Sequence, residues 1–483
     1  MRQIVTALEK SLEAQSRPNN ILSLPPYLSW LHSVAVGFSL KGDQVSVLFK
    51  PEDFYTTLLD RCRNAKTRVA LTSLYLGTGP MEEQLVNTLD VRLKERGKEL
   101  NVNILLDAMR SSRGATNSRT MLLPLLRSHP HCQVSLFHTP KLRGLLRYIL
   151  PPRYNELVGL QHMKLYLFDN DIIISGANLS HDYFTNRQDR YIVISECRPL
   201  ADFYFGLVER LSAVSLTLDE QNTLTPRNPQ LHPYQSPLEV YESEARDTVW
   251  GYYLQTIDKA AAGKLTNQHD EAADTWVFPL LGLPPLSVTQ DSTVTRQLLQ
   301  AVEEGAKVNL ATGYFNLTDD YINTILNKSK ACYHLLMAHP TANGFLSAAG
   351  LAGGIPGAYT QFAKLFLRGA HSSGQTHRVS LSEYQRPGWT YHAKGLWITP
   401  PGEDTPHCTL IGSSNFGARS VKRDLENQMA IFTTNETLRE TLRSEQDQLY
   451  QLGTPFSLDI AMLPERRPAL WVLAFIWFFK SYF

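Results

Sequence analysis

The chain has 483 residues, 43% of them apolar and 19% charged, with 28 glycines and 27 prolines. That is a globular balance, long enough for two or three domains, and it excludes disordered and fibrous classes. With 47 Lys plus Arg against 46 Asp plus Glu the net charge is +1, so no whole-protein field recruits a nucleic acid, and any phosphate recognition has to be local. The five cysteines, Cys62, Cys132, Cys197, Cys332 and Cys408, include no Cys-x-x-Cys pair, which excludes a disulfide framework and a zinc knuckle and points to a thiol-reducing compartment.

In chain order, residues 1–27 are an N-terminal segment whose first residues lack a long apolar core and carry Glu9 and Glu13, so no targeting signal is readable. A first α/β unit is expected over residues 28–222, where a helical pattern at 54–65 is followed by β-rich runs at 69–76, 103–107, 133–137 and 161–169. Residues 141–153 are basic and apolar together: Lys141, Arg143, Arg147 and Arg153 suit anionic headgroups, and Leu142, Leu145, Leu146, Tyr148, Ile149 and Leu150 suit the acyl boundary beneath. A core helix with a charged edge is the alternative. Pro226, Pro229, Pro233 and Pro237 mark a linker over residues 223–240, and a second unit follows at 241–460. Within it the Gly/Ala segment 348–358 reads as a lid or a plain loop. Residues 461–483 hold the most apolar run, 470–479, which stops at Lys480, short of the roughly 20 residues that span a bilayer. It suits either the headgroup region of a membrane or a helix docked on the core.

The two units repeat each other. Val69-Ala70-Leu71-Thr72-Ser73-Leu74-Tyr75-Leu76 is echoed by Val308-Asn309-Leu310-Ala311-Thr312-Gly313-Tyr314-Phe315, and the later strands follow in the same order. The informative pair is Gln161-His162-Met163-Lys164 against Tyr391-His392-Ala393-Lys394. Each leads to an Asn-containing turn, with Asn178 in one and Ser413 and Asn415 in the other, and eleven residues beyond each Asn stands an acid, Asp189 or Glu426. Two α/β units follow, each with a mixed sheet flanked by helices, related by a pseudo-twofold axis with the active site between them.

On a strand, residues two apart share a face, so His162 projects with Lys164 and His392 with Lys394. Packed about a twofold, two imidazoles and two ammonium groups converge, a costly cluster unless an anion fills it. A phosphodiester or pyrophosphate is the natural occupant. One neutral imidazole attacks phosphorus, the other protonates the leaving oxygen, and Lys164 and Lys394 offset the developing charge. Asn178, Asn415 and Ser413 are expected at the phosphate, with Asp189, Glu426, Arg110 and Arg113. Arg187, Arg190, Arg419, Lys422 and Arg423 stand near the two acids as further candidates. No metal is required by this arrangement.

His162, Lys164 and Asp169 resemble the H-x-K-x(4)-D motif that occurs twice in the phospholipase D superfamily, and Gly176 and Asn178 are similar to its following G-S-x-N. The second copy has His392, Lys394, Ser413 and Asn415, but Thr399 stands in place of the acid. By strand parity Asp169 points away from His162 and Lys164, and Glu403 or Asp404 is a candidate substitute in the second unit. Further stretches, among them Ser73–Pro80, His138-Thr139-Pro140 and Tyr183–Arg190, resemble the eukaryotic phosphatidylglycerophosphate synthases over nearly the whole chain, a family that also tends to lack the second acid. The resemblance implies a transferase without a required cofactor, open to stimulation by a divalent cation. It would use CDP-diacylglycerol and glycerol 3-phosphate through a phosphohistidine on His162, peripheral on the mitochondrial inner membrane. Segment 348–358 would then be a lid or an acyl-chain portal. Cardiolipin synthase or phospholipase D-type phosphodiesterase chemistry would use the same histidines, and a non-catalytic membrane scaffold would explain Thr399. The absence of a basic stripe argues against nucleic acid.

Overall fold

A computed structural model describes residues 24–25, 28–265, 272–346, 348 and 350–479. Most of segment 1–27 lies outside these residues, as do Lys480 and the side chain of Arg153. Two large mixed sheets carry the chain. In the first, nine strands run in the spatial order Leu224–Pro226, Leu216–Leu218, Cys132–Phe137, Asn101–Asp107, Arg68–Thr72, Leu165–Phe168, Asp171–Ser175, Tyr191–Ile194 and Val45–Leu48. The second runs Phe38–Leu40, Thr275–Leu283, Glu426–Thr433, Cys408–Gly412, Lys394–Thr399, Lys307–Thr312, Cys332–Ala338, Val379–Tyr384 and Gly453–Pro455, with Val288–Thr289 added on Thr275–Leu283. The six central strands have the same order and directions in both sheets, three parallel followed by three antiparallel. This is the architecture of two pseudo-twofold-related phospholipase D-like units.

Alternation along each strand decides the layers. In Leu165–Phe168, Leu165 and Leu167 enter the core between the two sheets, together with Met163, Trp397, Ile411 and Met429. Tyr166 and Phe168 enter an outer core capped by helices Pro51–Asn64 and Pro80–Arg96. The second sheet alternates in the same way, sending Leu396 and Ile398 outward under helices Gln290–Ala301 and Ile355–Ser372. Strands buried on both faces read as continuous apolar runs, as Ile172-Ile173-Ile174 and Leu410-Ile411 do.

The units are less separable than their sequence boundaries suggest. Phe38–Leu40, placed in the first unit, pairs antiparallel with Thr275–Leu283 of the second sheet, while Val45–Leu48 returns to the first. The expected linker 223–240 is partly structured: Leu224–Pro226 is an edge strand of the first sheet, and helix Leu238–Ala261 sends Tyr241, Ala245, Val249 and Tyr253 into the shared core. Two short pairings stitch the units at the histidines. Arg187–Gln188 pairs with Thr390–Tyr391, and Gln161 bridges Leu425. Arg190, a candidate phosphate ligand, is instead buried at this seam. It bonds both carboxylate oxygens of Glu445 at 2.8 Å, the Leu410 carbonyl and Thr409 Oγ1, and lies over Trp397.

Candidate active site

A cavity of about 450 Å³ opens between the two units and is lined by both His162 and His392. Each histidine stands just before the regular part of its strand, where the backbone crosses to the opposite unit: His162 N–H donates to the Leu425 carbonyl at 2.9 Å and His392 N–H to that of Gln188 at 2.8 Å. Because Leu425 and Gln188 immediately precede Glu426 and Asp189, each crossing brings the acid of one unit behind the imidazole of the other. His162 Nδ1 lies 3.0 Å from both Glu426 carboxylate oxygens, and His392 Nδ1 lies 2.6 Å from Asp189 Oδ2. With Nδ1–H given to a carboxylate, the Nε2 lone pair of each ring is left for substrate.

Asp189 and Glu426, expected at the phosphate, are therefore partners of histidine. Ser413 is corrected in the same way: its hydroxyl donates to Glu426, and Ser420 Oγ donates to the other Glu426 oxygen at 2.6 Å. Burial alone would raise the Glu426 carboxyl, but His162, Lys164 and the Ser413 hydroxyl pull it down to about 2. At Asp189 burial wins over the charge of Lys394, and the carboxyl is pushed up to about 6. Gly176 occupies the place of Ser413 in the first unit, and a Cβ there would stand 2.7 Å from Lys394 Nζ and 2.8 Å from Asp189 Oδ1.

The lysines, expected to face the phosphate, do not line the cavity. Lys164 Nζ turns back to the His162 carbonyl at 2.6 Å, and Lys394 Nζ sits 2.8 Å from both the His392 carbonyl and His392 Nδ1. Both are fully buried, and burial drives both ammonium groups down, Lys164 well below the ordinary lysine range. Two ammonium groups in one dry interior repel, and drawing back onto carbonyls is the available compensation. Burial, then the charges of Lys394, Arg187 and Lys164, hold His392 well below the usual imidazole range.

Asp169, expected among the catalytic residues, lies away from the cavity. At φ 52° it closes the turn after its strand, and its carboxylate accepts the backbone N–H groups of Lys66, Thr67 and Arg68 at 2.7 to 3.1 Å. Its charge is stabilised by those bonds against burial, which holds its pKa down. Neither Glu403 nor Asp404 reproduces this clamp: Glu403 bonds His407 and Arg439, and Asp404 meets only the Lys307 side chain.

Asn178 and Asn415 do line the cavity. Asn178 Nδ2 donates to Tyr183 OH at 3.0 Å, and Asn415 Oδ1 is buried without a partner among the described residues. Arg110 and Arg113 line it too, Arg110 over the Tyr75 ring and Arg113 paired with Glu156. Arg187 and Arg419 join them, while Lys422 and Arg423 do not. The sequence reading missed Tyr183, whose OH is 3.4 Å from His392 Nε2, and Tyr314, whose ring meets that imidazole edge-on. The signal was available: Tyr183 and Ser420 each stand five residues beyond the unit's Asn, and both reach the histidine–acid pairs.

The rim is apolar. On helix Gly144–Ile149, Leu145 is 72%, Tyr148 80% and Ile149 65% exposed, whereas Leu142 is buried. The basic residues of this segment dock it rather than face outward: Arg143 donates to the Ser236 carbonyl, Arg147 lies over Tyr234, and Lys141 pairs with Glu242. Phe345, Ala348, Ala352 and Ile355 line the cavity, and segment 348–358 contributes a short 3-10 turn and the start of helix Ile355–Ser372. Helix Leu470–Phe479 packs on that helix through Val472 and Ile476, leaving Leu470 85% exposed. Among the described residues no helix is long and apolar enough to cross a membrane, and no cluster of His, Cys, Asp and Glu could hold a metal ion.

No family model matches the chain. The solved structure of phosphatidylserine synthase from Haemophilus influenzae Rd KW20 superposes with a TM-score of 0.70 over 94% of this chain and 96% of that one, at 19% identity, which establishes the likeness of fold. In sequence, the mitochondrial CDP-diacylglycerol–glycerol-3-phosphate 3-phosphatidyltransferase of Homo sapiens is 44% identical over 480 residues, covering 94% of this chain and 85% of that protein. The enzyme of the same name from Saccharomyces cerevisiae is 32% identical over 461 residues, covering 89% and 86%. Identity sustained over nearly the whole of both chains, on a fold that brings the two repeated histidines to one cavity, places the chain in the CDP-diacylglycerol–glycerol-3-phosphate 3-phosphatidyltransferase family.

Proposed function

We propose that the chain transfers the phosphatidyl group of CDP-diacylglycerol to glycerol 3-phosphate, giving phosphatidylglycerophosphate and CMP through a covalent phosphatidyl-histidine. The names of the relatives supply donor and acceptor. The observation that carries the mechanism is the pair of imidazoles on one cavity, each backed by the other unit's acid. In the first step His162 Nε2 bonds to the phosphorus bearing diacylglycerol, the bond to the CMP oxygen breaks, and CMP leaves as its phosphate anion while His392 stays neutral. In the second, a hydroxyl of glycerol 3-phosphate bonds to the same phosphorus, its proton passes to His392 Nε2, and the N–P bond breaks.

The different settings of the two rings support that division of labour. A ring phosphorylated on Nε2 keeps its Nδ1–H and becomes cationic, and Glu426, held ionised at about 2 by His162, Lys164 and Ser413, is the better counter-charge. Burial and the nearby Lys394 hold the His392 ring neutral, so its Nε2 lone pair is free to take the acceptor's proton and to release it quickly. Lys164 and Lys394 stand behind the rings, where each Nζ donates to the backbone carbonyl of its own histidine and holds that imidazole in place.

The exposed apolar side chains Leu145, Leu146, Tyr148 and Ile149, together with Leu470 and Trp471, support peripheral seating on a lipid surface, with acyl chains leaving the cavity past Leu157, Phe345 and Ile355. The mitochondrial names of relatives support a mitochondrial location, and the inner membrane is proposed as the surface. The test supplies the purified protein with CDP-diacylglycerol vesicles and follows CMP. Release that needs glycerol 3-phosphate and disappears in His162→Ala is expected. Steady release into water without acceptor overturns the transferase reading.

A further inference from the structure

The repeat breaks at one cavity position in a way that sorts the substrates. Two residues before each acid, the first unit has Arg187 and the second has Asp424, and both line the cavity. Asp424 is committed: it accepts from Leu160 N–H at 3.0 Å and pairs with Arg419 at 3.3 Å. Arg187 is pre-set by Thr390 Oγ1 of the other unit at 2.9 Å, by Asp182 at 2.9 Å and by the Tyr183 ring beneath it, with its side chain 15% exposed. Arg187 thus gives one end of the cavity a cation, while at the pseudo-equivalent place Asp424 is neutralised by Arg419, which also lines the cavity. The cationic end is the His392 end, since Arg187 lies over Tyr183, whose hydroxyl reaches His392 Nε2.

In-line displacement makes that placement matter. If His162 takes the phosphatidyl group, CMP leaves from the face of phosphorus opposite His162, and the acceptor hydroxyl must return along the same line, beside His392. The second anion of the acceptor, its phosphate monoester, then lies within a few bonds of His392. We propose that Arg187 is the acceptor-binding residue that selects glycerol 3-phosphate over neutral alcohols and water, by a charge-assisted contact to the acceptor's phosphate. The inference rests on the transferase reading above.

The experiment compares the unaltered enzyme with Arg187→Ala, Arg187→Lys and Arg110→Ala, measuring transfer to glycerol 3-phosphate against transfer to glycerol. Loss of a charge-assisted contact is expected to lower that selectivity ratio about 100-fold in Arg187→Ala and by less in Arg187→Lys. The loss should fall on KM for glycerol 3-phosphate, and the inhibition constant of inorganic phosphate should rise with it. A ratio unchanged in both Arg187 variants, or one that follows Arg110→Ala instead, overturns the assignment. Arg187→Lys keeps the charge and guards against a merely misfolded Ala variant. The underlying reading fails separately, in the unaltered enzyme, if donor alone leaves no phosphorus on His162.

Discussion

The two halves of the site share a histidine–acid pair and differ in the acid and in what surrounds it. Around His162 the acid is a glutamate, received by two serine hydroxyls and strongly ionised; around His392 it is an aspartate with a glycine opposite, a lysine pressed close and a carboxyl near its own titration point. Gene duplication supplies two imidazoles, and divergence of their neighbours gives them separate tasks. Equal histidines would compete for the same proton; unequal ones can divide attack and proton transfer.

The sharpest way to break the comparison is to remove each ring. His162→Ala should cost at least about 10⁴-fold in transfer and abolish trapping of donor phosphorus, whereas His392→Ala should cost about 10²–10⁴-fold and still permit trapping. Equal losses with label on either ring would show the halves to be interchangeable. Next, Gly176→Ser, which imports the serine of the second unit, should displace Lys394 and Asp189 and lower kcat roughly tenfold or more, while Ser413→Gly should chiefly raise the Glu426 carboxyl.

A smaller effect separates the acids by pH. Because the Glu426 carboxyl is depressed to about 2 from an ordinary 4.5, its contribution to stability is present above pH 4.5 and is lost as pH falls toward 2. Denaturant unfolding at pH 5 and pH 3.5 should show a steeper fall in the unaltered protein than in Glu426→Gln. Asp189 has the opposite sign: raised to about 6 from 3.8, it favours the folded state below pH 3.8 and loses that contribution as pH rises to 6. The smallest effect is expected at Asp169. Asp169→Ala removes an acceptor for three backbone N–H groups and should cost about 1–2 kcal/mol in unfolding, with activity changed less than tenfold.

The repeat, the order of its strands and the convergence of His162 and His392 were legible because two-residue alternation and equal spacing are local properties. The partners of those histidines were not. Asp189 and Glu426 stood at the right spacing, but the crossing of Gln188 and Leu425 into the opposite unit is a tertiary event, and it turns each acid from the phosphate to a ring nitrogen. Lys164 and Lys394 were misplaced for a related reason: strand parity gives the face of a side chain, while its ammonium settles where burial and like charge allow. Arg143 and Arg147 read as headgroup ligands because sequence gives their sign; the carbonyl and the aromatic ring that occupy them lie some ninety residues away. Arg190 likewise was invisible as a seam residue until Glu445 and Trp397 closed around it.

The strand Phe38–Leu40 carries a consequence for biosynthesis. It leaves the ribosome early, yet its partner Val277 is made more than 230 residues later, a wait of roughly 10 to 50 s at ordinary elongation speeds. During that interval the neighbouring segment Val45–Leu48 can complete its own sheet while the earlier strand dangles, an unpaired edge open to capture by chaperones or by another nascent chain. A polypeptide severed between its halves should for the same reason yield two fragments that regain solubility only when produced together.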